Sequence, residues 1–189
     1  MYLFFDTETT GLPRNWKAPI EDLDNWPRLV QLAWFVFNDK GDKIDSKDYI
    51  IKPENFSIPV ESSDIHGITT ERAMVEGNDL TYVLAVFNDY INRANKLVAH
   101  NMSFDEKIMG AEFLRKKIES KLFSKERICT MMTSKNFCAL PGRYGFKWPT
   151  LSELHIKLFG KDFENAHDAY SDITATADCF WKMREMEIV

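Results

Sequence analysis

Short, continuous apolar runs come first in this chain and predict buried strands. Tyr2–Phe5 is wholly apolar and stops at Asp6, which is typical of a strand covered on both faces of a sheet. Leu29–Phe37 and Ile44–Ile51 are two further strand-like segments, and the turn-forming residues 38–42 lie between them. These two segments are therefore expected to form a hairpin or meander.

Segments of helical period and a short strand occupy the rest of the chain. Two capping boxes, Ser103–Glu106 and Thr150–Glu153, each predict the start of a helix, and Leu97–Ala99 reads as a short strand. The predicted helices cover about residues 80–94, 103–118, 150–160 and 169–185. Strands followed by alternating strands and helices predict one α/β or α+β domain over residues 1–189.

Composition excludes several other classes of protein. Hydrophobic residues make up 44% of the chain, with only 8 Gly and 7 Pro, which is typical of a globular rather than a disordered or fibrous protein. No apolar stretch approaches the roughly 20 residues that span a bilayer. The first residues lack the basic region of a signal peptide, and 3 Cys fit neither a metal-binding spacing nor a full disulfide set. We therefore expect a soluble cytoplasmic protein with reduced thiols.

Charge is unevenly distributed along the sequence. The net charge of −5 argues against a protein that holds nucleic acid by bulk positive charge. Leu114–Lys147 nevertheless contains nine Lys or Arg and two Glu, so it carries +7 and the remainder −12. This asymmetry indicates either an anionic partner that meets one face of the protein or a solvated, charged helix.

Asp6 and Glu8 lie two residues apart at the end of the first predicted strand. Alternation along a strand places both carboxylates on the same face, where two like charges need a cation. Carboxylate oxygens are the ligands that Mg²⁺ and Mn²⁺ prefer. An Asp-x-Glu pair alone is more often a solvated strand end. Here Thr9-Thr10-Gly11 follows it and supplies hydroxyls and free N–H groups that can hold a sugar or phosphate.

Three further residues are candidates for the same site. Asp105 is predicted in the first turn of a helix, where the helix dipole favours an ionised carboxylate. His167 and Asp172 lie five residues apart, so His167 is expected in the loop or first turn before the last helix. Imidazole titrates near neutral pH and suits a general base that acts on water. Each residue alone has an ordinary explanation, as a first-turn acid or a packed histidine.

The whole pattern, Asp6-x-Glu8, Asp105 and His167-x-x-x-x-Asp172, resembles the DnaQ-like exonucleases of the DEDDh type, which include the epsilon exonuclease domain of DNA polymerase III. The resemblance covers about residues 2–183. Supporting blocks follow in the same order: His66-Gly67-Ile68-Thr69, His100-Asn101-x-x-Phe104-Asp105 and Leu151-x-x-Leu154.

This resemblance implies a ribonuclease H-like fold, a five-stranded mixed sheet with helices on both faces whose first three strands form an antiparallel meander. It also implies that Asp6, Glu8, Asp105 and Asp172 hold two divalent cations, Mg²⁺ or Mn²⁺, at the last phosphodiester of a 3′ end. His167 is then the general base. The implied activity is metal-dependent 3′-to-5′ hydrolysis of single-stranded nucleic acid to nucleoside 5′-monophosphates.

The resemblance further implies a pocket for the 3′-terminal nucleotide. Its residues are Thr9, Thr10, Gly11, Leu12, Ile65 and Phe104. Such a pocket contacts the faces of bases, so little sequence preference is expected. Thr9-Thr10 favours DNA, and an RNA-directed exonuclease of the same family is the alternative. A catalytically idle nucleic-acid-binding module and a two-metal endonuclease are alternatives of other classes.

Two features depart from the family pattern. A long insertion, Pro13–Pro27, follows the Asp-x-Glu block and contains Trp16 and Trp26. We expect it to form either a packed surface loop or a lip over the site. The chain also ends soon after the last predicted helix, without the tail by which proofreading subunits bind a polymerase. A stand-alone exonuclease is therefore favoured, and its protein partners are not predicted.

Overall fold

The computed structural model describes residues 1–189. Its elements are, in chain order, β1 Tyr2–Thr9, β2 Leu29–Phe37, β3 Lys43–Ile50, α1 Val60–His66, α2 Thr70–Glu76, α3 Leu80–Arg93, β4 Lys96–Ala99, α4 Met102–Arg115, a 3-10 turn Leu122–Ser124, β5 Glu126–Cys129, α5 Thr130–Thr133, α6 Lys135–Cys138, β6 Pro141–Gly142, β7 Gly145–Phe146, α7 Leu151–Phe159 and α8 Ala169–Glu185. Each predicted strand and helix is present. None of the helices combines the length and apolar character that crossing a bilayer requires.

Five strands form one mixed sheet in the order β3-β2-β1-β4-β5. The pairs β1–β2 and β2–β3 are antiparallel, whereas β4 lies parallel to β1 and β5 parallel to β4. The predicted ribonuclease H-like sheet, with an antiparallel meander of its first three strands, is confirmed. Because β1, β4 and β5 run in the same direction, their carboxyl ends meet at one edge of the sheet, where α/β proteins bind ligands.

Helices cover both faces of this sheet, as two neighbouring phenylalanines of β1 show. The Phe4 ring lies 5.1 Å from the ring of Phe180 on α8, and the Phe5 ring lies 5.4 Å from Phe87 on α3. Successive residues of a strand point to opposite faces. Helices α8 and α3 therefore pack on opposite sides of β1, which is fully buried at Phe4 and Phe5.

β1 is longer than the apolar run predicted. The strand was expected to stop at Asp6, but it continues to Thr9 because its polar half pairs with β2, with Glu8 opposite Gln31. Up to Phe5 every residue is buried; beyond it Asp6 and Glu8 are half-buried while Thr7 is buried. The polar half of β1 therefore presents Asp6 and Glu8 on one face of the sheet.

The start of α4 differs from the prediction. Ser103 does not cap this helix; α4 begins at Met102, after Asn101 in the left-handed conformation with φ 67°, and no side chain caps it. Glu106 does not reach back to the helix start and instead forms an ion pair of 2.8 Å with Arg127. The prediction of a capping box at Ser103–Glu106 is therefore wrong, although Asp105 does lie in the first turn of α4.

The last two helices begin and end as predicted. Thr150 and Glu153 form a reciprocal capping box at the start of α7, and Gly160, with φ 74°, ends that helix. Helix α8 covers Ala169–Glu185, and the Asp168 side chain caps it by accepting a hydrogen bond from the Ser171 N–H. His167 consequently lies in the loop before α8, as its spacing from Asp172 predicts.

The proline-rich insertion after β1 packs against α4. The Arg115 guanidinium donates to the backbone carbonyls of Leu23 and Trp26 at 2.6 and 2.7 Å, and the Trp26 side chain is buried. Glu112, also buried on α4, accepts a hydrogen bond of 2.9 Å from Nε of Arg28. Most of the insertion is thus a packed surface loop, one of the two predicted alternatives.

Much of the positive charge of the basic stretch is paired. Four of its cations form ion pairs: Arg115–Glu112, Lys116–Glu54, Arg127–Glu106 and Lys147–Glu153. Lys125 donates to the backbone carbonyls of Asn92 and Ala94. Lys125 forms no ion pair, and neither do the remaining cations, Lys117, Lys121, Lys135 and Arg143. The stretch therefore does not form one continuous positive face.

Candidate active site

Three carboxylates converge at the carboxyl end of β1. Asp6 and Glu8 lie on the same face of the strand, and Asp172 comes from the first turn of α8, which packs across β1. One ligand oxygen from each of the three lies within 4.8 Å of the others. Asp172 lies more than 160 positions from Asp6 and Glu8 in the sequence, so the packing of α8 on β1 brings it to them.

Asp105 lies beside this trio rather than within it. Its buried carboxylate accepts hydrogen bonds from the backbone N–H and the hydroxyl of Thr7, at 3.1 and 2.8 Å. The two hydrogen bonds from Thr7 hold Asp105 next to the polar half of β1. The Asp105 charge is nevertheless close enough to raise the pKa of Asp6.

The electrostatics of the cluster favour a cation. Burial, and then repulsion from Asp105 and Asp172, raises the pKa of Asp6 well above its usual range. Burial and the same two neighbours raise the pKa of Glu8 to about 9. Four carboxylates that are mutually destabilised as anions, and that offer only oxygen ligands, match the chemistry of a site for Mg²⁺ or Mn²⁺. The donor set therefore fits divalent cations.

His167 stands at the mouth of the site. Its backbone has a positive φ of 69°, and its N–H donates to Oδ1 of Asp172 at 3.1 Å. This hydrogen bond lowers the pKa of Asp172, although burial raises it more. The imidazole is exposed and lines the same cavity as Glu8. Asp172 thus fixes the backbone of His167 while the ring stays accessible.

A cavity of about 270 Å³ opens beside the acidic cluster. Its lining comes from β1, the following turn, α1, α4 and the loop before α8, and includes Glu8, Thr9, Gly11, Leu12, Ile65, Phe104 and His167. Leu12 and Ile65 are exposed, so neither serves as a core residue. Thr10 does not line the cavity; its hydroxyl accepts the N–H of Arg28 at 2.9 Å.

Comparison with known proteins identifies the family. A family model described as RNase_T, exonuclease, matches residues 3–180. The chain belongs to this exonuclease family. The DnaQ-like resemblance and the class of enzyme predicted from the sequence, an exonuclease, are thereby confirmed.

Relatives of this exonuclease domain are parts of larger proteins. It is 29% identical over 189 residues to DNA polymerase III PolC-type of Staphylococcus aureus, an alignment that covers 96% of this chain and 11% of the polymerase. E. coli exonuclease I in complex with a dT13 oligonucleotide superposes with a TM-score of 0.75 and 20% identity, over 99% of this chain and 42% of that one.

Exonuclease I from Methylocaldum szegediense gives a TM-score of 0.75 at 19% identity, over 97% of this chain and 40% of that one. At these identities the two exonuclease I structures show the shared fold alone. The chain spans about a tenth of the polymerase and two fifths of exonuclease I.

Gln31 is a residue of the candidate site that the sequence did not reveal. It is buried on β2 opposite Glu8, and its amide Nε2 donates to Asp168 at 3.1 Å and to Asp48 at 2.9 Å. Its Oε1 accepts from the N–H of Ala169 at 3.2 Å. One amide therefore fixes the start of α8, between His167 and Asp172.

Two side chains that were not among the predicted pocket residues, His66 and Trp16, lie at the cavity or next to it. His66 lines it, with Nδ1 accepting from the Ile68 N–H at 3.2 Å, and burial lowers the pKa of this imidazole. Trp16 of the insertion lies 5.7 Å from the Phe104 ring, and Lys107 donates to its carbonyl at 2.9 Å. The insertion therefore reaches the edge of the cavity at Trp16.

Proposed function

We propose that this exonuclease domain, acting as one unit over residues 1–189, hydrolyses single-stranded nucleic acid, DNA by preference, from the 3′ end. The product at each step is a nucleoside 5′-monophosphate. The observation that carries the proposal is the convergence of Asp6, Glu8 and Asp172 within 4.8 Å of one another beside a cavity that His167 lines. Exonuclease I of E. coli, which shares the fold, has been crystallised with a dT13 oligonucleotide.

Asp6, Glu8, Asp105 and Asp172 are the residues that would hold two divalent cations, Mg²⁺ or Mn²⁺. Bound cations would neutralise charge on the scissile phosphate and lower the pKa of water. The chain itself fixes these ligands from three directions, because Thr7 orients Asp105, the His167 N–H orients Asp172, and pairing with β2 holds Asp6 and Glu8.

His167 is the proposed general base. Its exposed imidazole takes the proton of the attacking water while the backbone of the same residue is fixed by Asp172. The loop position before α8 leaves the ring free to turn over the acidic cluster. Gln31 fixes the position of that loop, because its side-chain amide is hydrogen-bonded to both the Asp168 carboxylate and the Ala169 N–H.

The 3′-terminal nucleotide is proposed to occupy the cavity. Exposed Leu12 and Ile65 offer apolar surface to a base, and Phe104 lines the same space. Contacts of this kind use the faces of the base and carry little sequence preference. Thr9 turns its hydroxyl to the Gly11 carbonyl at 2.7 Å, which fixes the turn that closes one wall. Thr10, predicted as a further contact, lies outside the cavity lining, and its hydroxyl accepts the Arg28 N–H.

Digestion of a 5′-labelled single-stranded oligonucleotide tests the proposal. With Mg²⁺ or Mn²⁺ the wild type should give a ladder of products shortened from the 3′ end, and EDTA should abolish it. Asp6→Ala should give no ladder. Equal digestion by the wild type and Asp6→Ala would show that the acidic cluster is not the catalytic centre.

Substrate class is tested with matched DNA and RNA oligonucleotides and a circular single strand. We expect faster digestion of DNA than of RNA and no cutting of the circle, which has no 3′ end. Faster digestion of RNA would favour the exoribonuclease of the same family, and cutting of the circle would favour an endonuclease. Tight binding without turnover under any divalent ion would favour an idle binding module.

A further inference from the structure

A two-stranded hairpin with exposed aromatic rings stands between α6 and α7. Strands β6 and β7 pair at Pro141–Phe146 and Gly142–Gly145, with Arg143 and Tyr144 at the tip. Gly142 is required there, because a Cβ would lie 2.9 Å from the Gly145 carbonyl oxygen. Every residue from Pro141 to Trp148 is exposed. The hairpin is therefore exposed to solvent along its whole length.

Its aromatic residues are unusually accessible. Tyr144 is 89% exposed, Trp148 56% and Phe146 47%, and the three alternate at every second position. Apolar rings concentrated on a projecting element mark an interaction surface rather than a folding core. The class of partner follows from the charge around them.

The charged residues of the hairpin and of the segment around it are all basic. No acidic residue occurs from Lys135 to Ser152, whereas Lys135, Arg143 and Lys147 do. The Arg143 guanidinium lies 5.1 Å from the centre of the Tyr144 ring, and Lys147 pairs with Glu153 at the start of α7. Interleaved rings and cations on a chain of net charge −5 complement the bases and phosphates of a single strand.

The base of the hairpin is anchored to the edge of the sheet that carries the acidic cluster. Pro149, buried directly after Trp148, accepts a hydrogen bond of 3.2 Å from Nε2 of His100, which follows β4. His100 also contacts the Thr130 hydroxyl, directly after β5, at 3.0 Å. Since β1, β4 and β5 are parallel, the hairpin starts from the same edge as Asp6 and Glu8.

We propose that the hairpin Pro141–Trp148 binds single-stranded nucleic acid upstream of the 3′ end by stacking bases on Tyr144, Phe146 and Trp148. The proposal rests on the proposed exonuclease function, because the nucleic acid that binds the hairpin is the same strand whose 3′ end occupies the cavity. A terminal trinucleotide would lie within the cavity region, whereas a strand of twelve nucleotides would also reach the hairpin.

The test compares Tyr144→Ala, Phe146→Ala and Trp148→Ala with Tyr82→Ala, a matched exposed aromatic on α3. Fluorescence anisotropy of a labelled twelve-nucleotide oligothymidylate, in EDTA to prevent digestion, should show affinity lower by about fivefold or more for each hairpin variant. Tyr82→Ala should bind as the wild type does. Arg143→Gln should reduce the slope of log affinity against log salt by about 0.7.

Kinetics in Mg²⁺ separate this surface from the active site. The hairpin variants should raise KM for the twelve-nucleotide substrate, leave kcat unchanged and leave trinucleotide digestion unchanged. Unchanged affinity and unchanged KM in all three variants would overturn the proposal and indicate that the exposed rings bind a protein partner instead. Digestion by the wild type in the same experiment would still support the exonuclease function. If the oligonucleotide binds through the hairpin but is not digested, the proposed exonuclease function would be overturned, whereas the proposed binding surface would be supported.

Discussion

His167 and Asp6 have different tasks in the proposed hydrolysis, and their removal should differ in size. His167→Gln deletes a general base at an exposed position, so kcat should fall by roughly 10² to 10⁴-fold. Asp6→Asn removes a carboxylate at the centre of the acidic cluster and should reduce kcat further. Single-turnover digestion of a 5′-labelled oligonucleotide measures both. A larger loss for His167→Gln than for Asp6→Asn would contradict this division of roles.

Gln31 is predicted to be a positioning residue. Gln31→Met keeps the side-chain size but removes the hydrogen bonds to Asp168, Asp48 and Ala169 that fix the start of α8. Because misplacement by about 1 Å costs up to roughly 10²-fold in rate, we expect kcat to fall tenfold or more. KM for the oligonucleotide should stay the same, because Gln31 does not line the cavity. A change in KM alone would contradict the positioning role.

At the residue scale the sequence indicated which carboxylates lie together, Asp6, Glu8 and Asp172, but not which side chains support them. Asp6 and Glu8 follow from period-two alternation, and His167 and Asp172 from their spacing before a helix. Gln31 could not be found in this way, because its partner Asp168 lies 137 positions away and a buried Gln carries no local pattern. Thr10 was predicted as a pocket residue because it stands beside Gly11, but its hydroxyl accepts a hydrogen bond from the Arg28 N–H.

At the scale of elements, α4 ties the insertion to the sheet through Glu112. This buried carboxylate accepts from Arg28 Nε at 2.9 Å and from the Leu29 N–H at 3.0 Å, and it lies 3.0 Å from Arg115 Nη1. Glu112→Ala leaves two partly buried cations without their counter-charge and should destabilise the fold by about 3 to 5 kcal/mol. Urea denaturation measures this change.

Glu76→Ala is the control for that measurement. Glu76 forms an exposed ion pair with Arg72 on α2, and such pairs contribute about 0 to 1 kcal/mol. An equal loss of stability in Glu76→Ala and Glu112→Ala would show that the buried network does not hold the insertion.

Elements with long apolar patterns were predictable, whereas most short elements, with the exception of β4, were not. β2 and α8 have the bounds that their patterns predict. Helices α1 and α2 have seven residues each, too few for a helical period to show. The start of α4 was mistaken because Asn101 adopts a left-handed conformation, which replaces a side-chain cap. The hairpin β6–β7 has two-residue strands, set by Gly142 and Gly145 rather than by alternation.

At the scale of the whole molecule, the partly buried His100 should link stability to pH. Burial lowers the pKa of His100 to about 4, against about 6.5 for an unfolded imidazole. Between these values the unfolded chain binds a proton that the folded chain does not, so the stability contributed by His100 is lost as pH falls from about 6.5 to 4. His100→Gln should therefore flatten this part of the pH profile by up to about 3 kcal/mol.

Urea denaturation of the wild type and His100→Gln at several pH values measures this difference. Gln is chosen because its amide can still donate to the Pro149 carbonyl and accept from Thr130. Parallel stability profiles for the two proteins between pH 4 and 6.5 would contradict the assignment.

The central claim, that four carboxylates distant in sequence form one site for paired cations at a 3′ end, is tested most directly by crystallography with Mn²⁺ and a nucleoside 5′-monophosphate. The account predicts two anomalous peaks bound by Asp6, Glu8, Asp105 and Asp172, with the phosphate beside His167 and the base between Leu12 and Phe104. Absence of anomalous density at these carboxylates, with the nucleotide bound elsewhere, would contradict it.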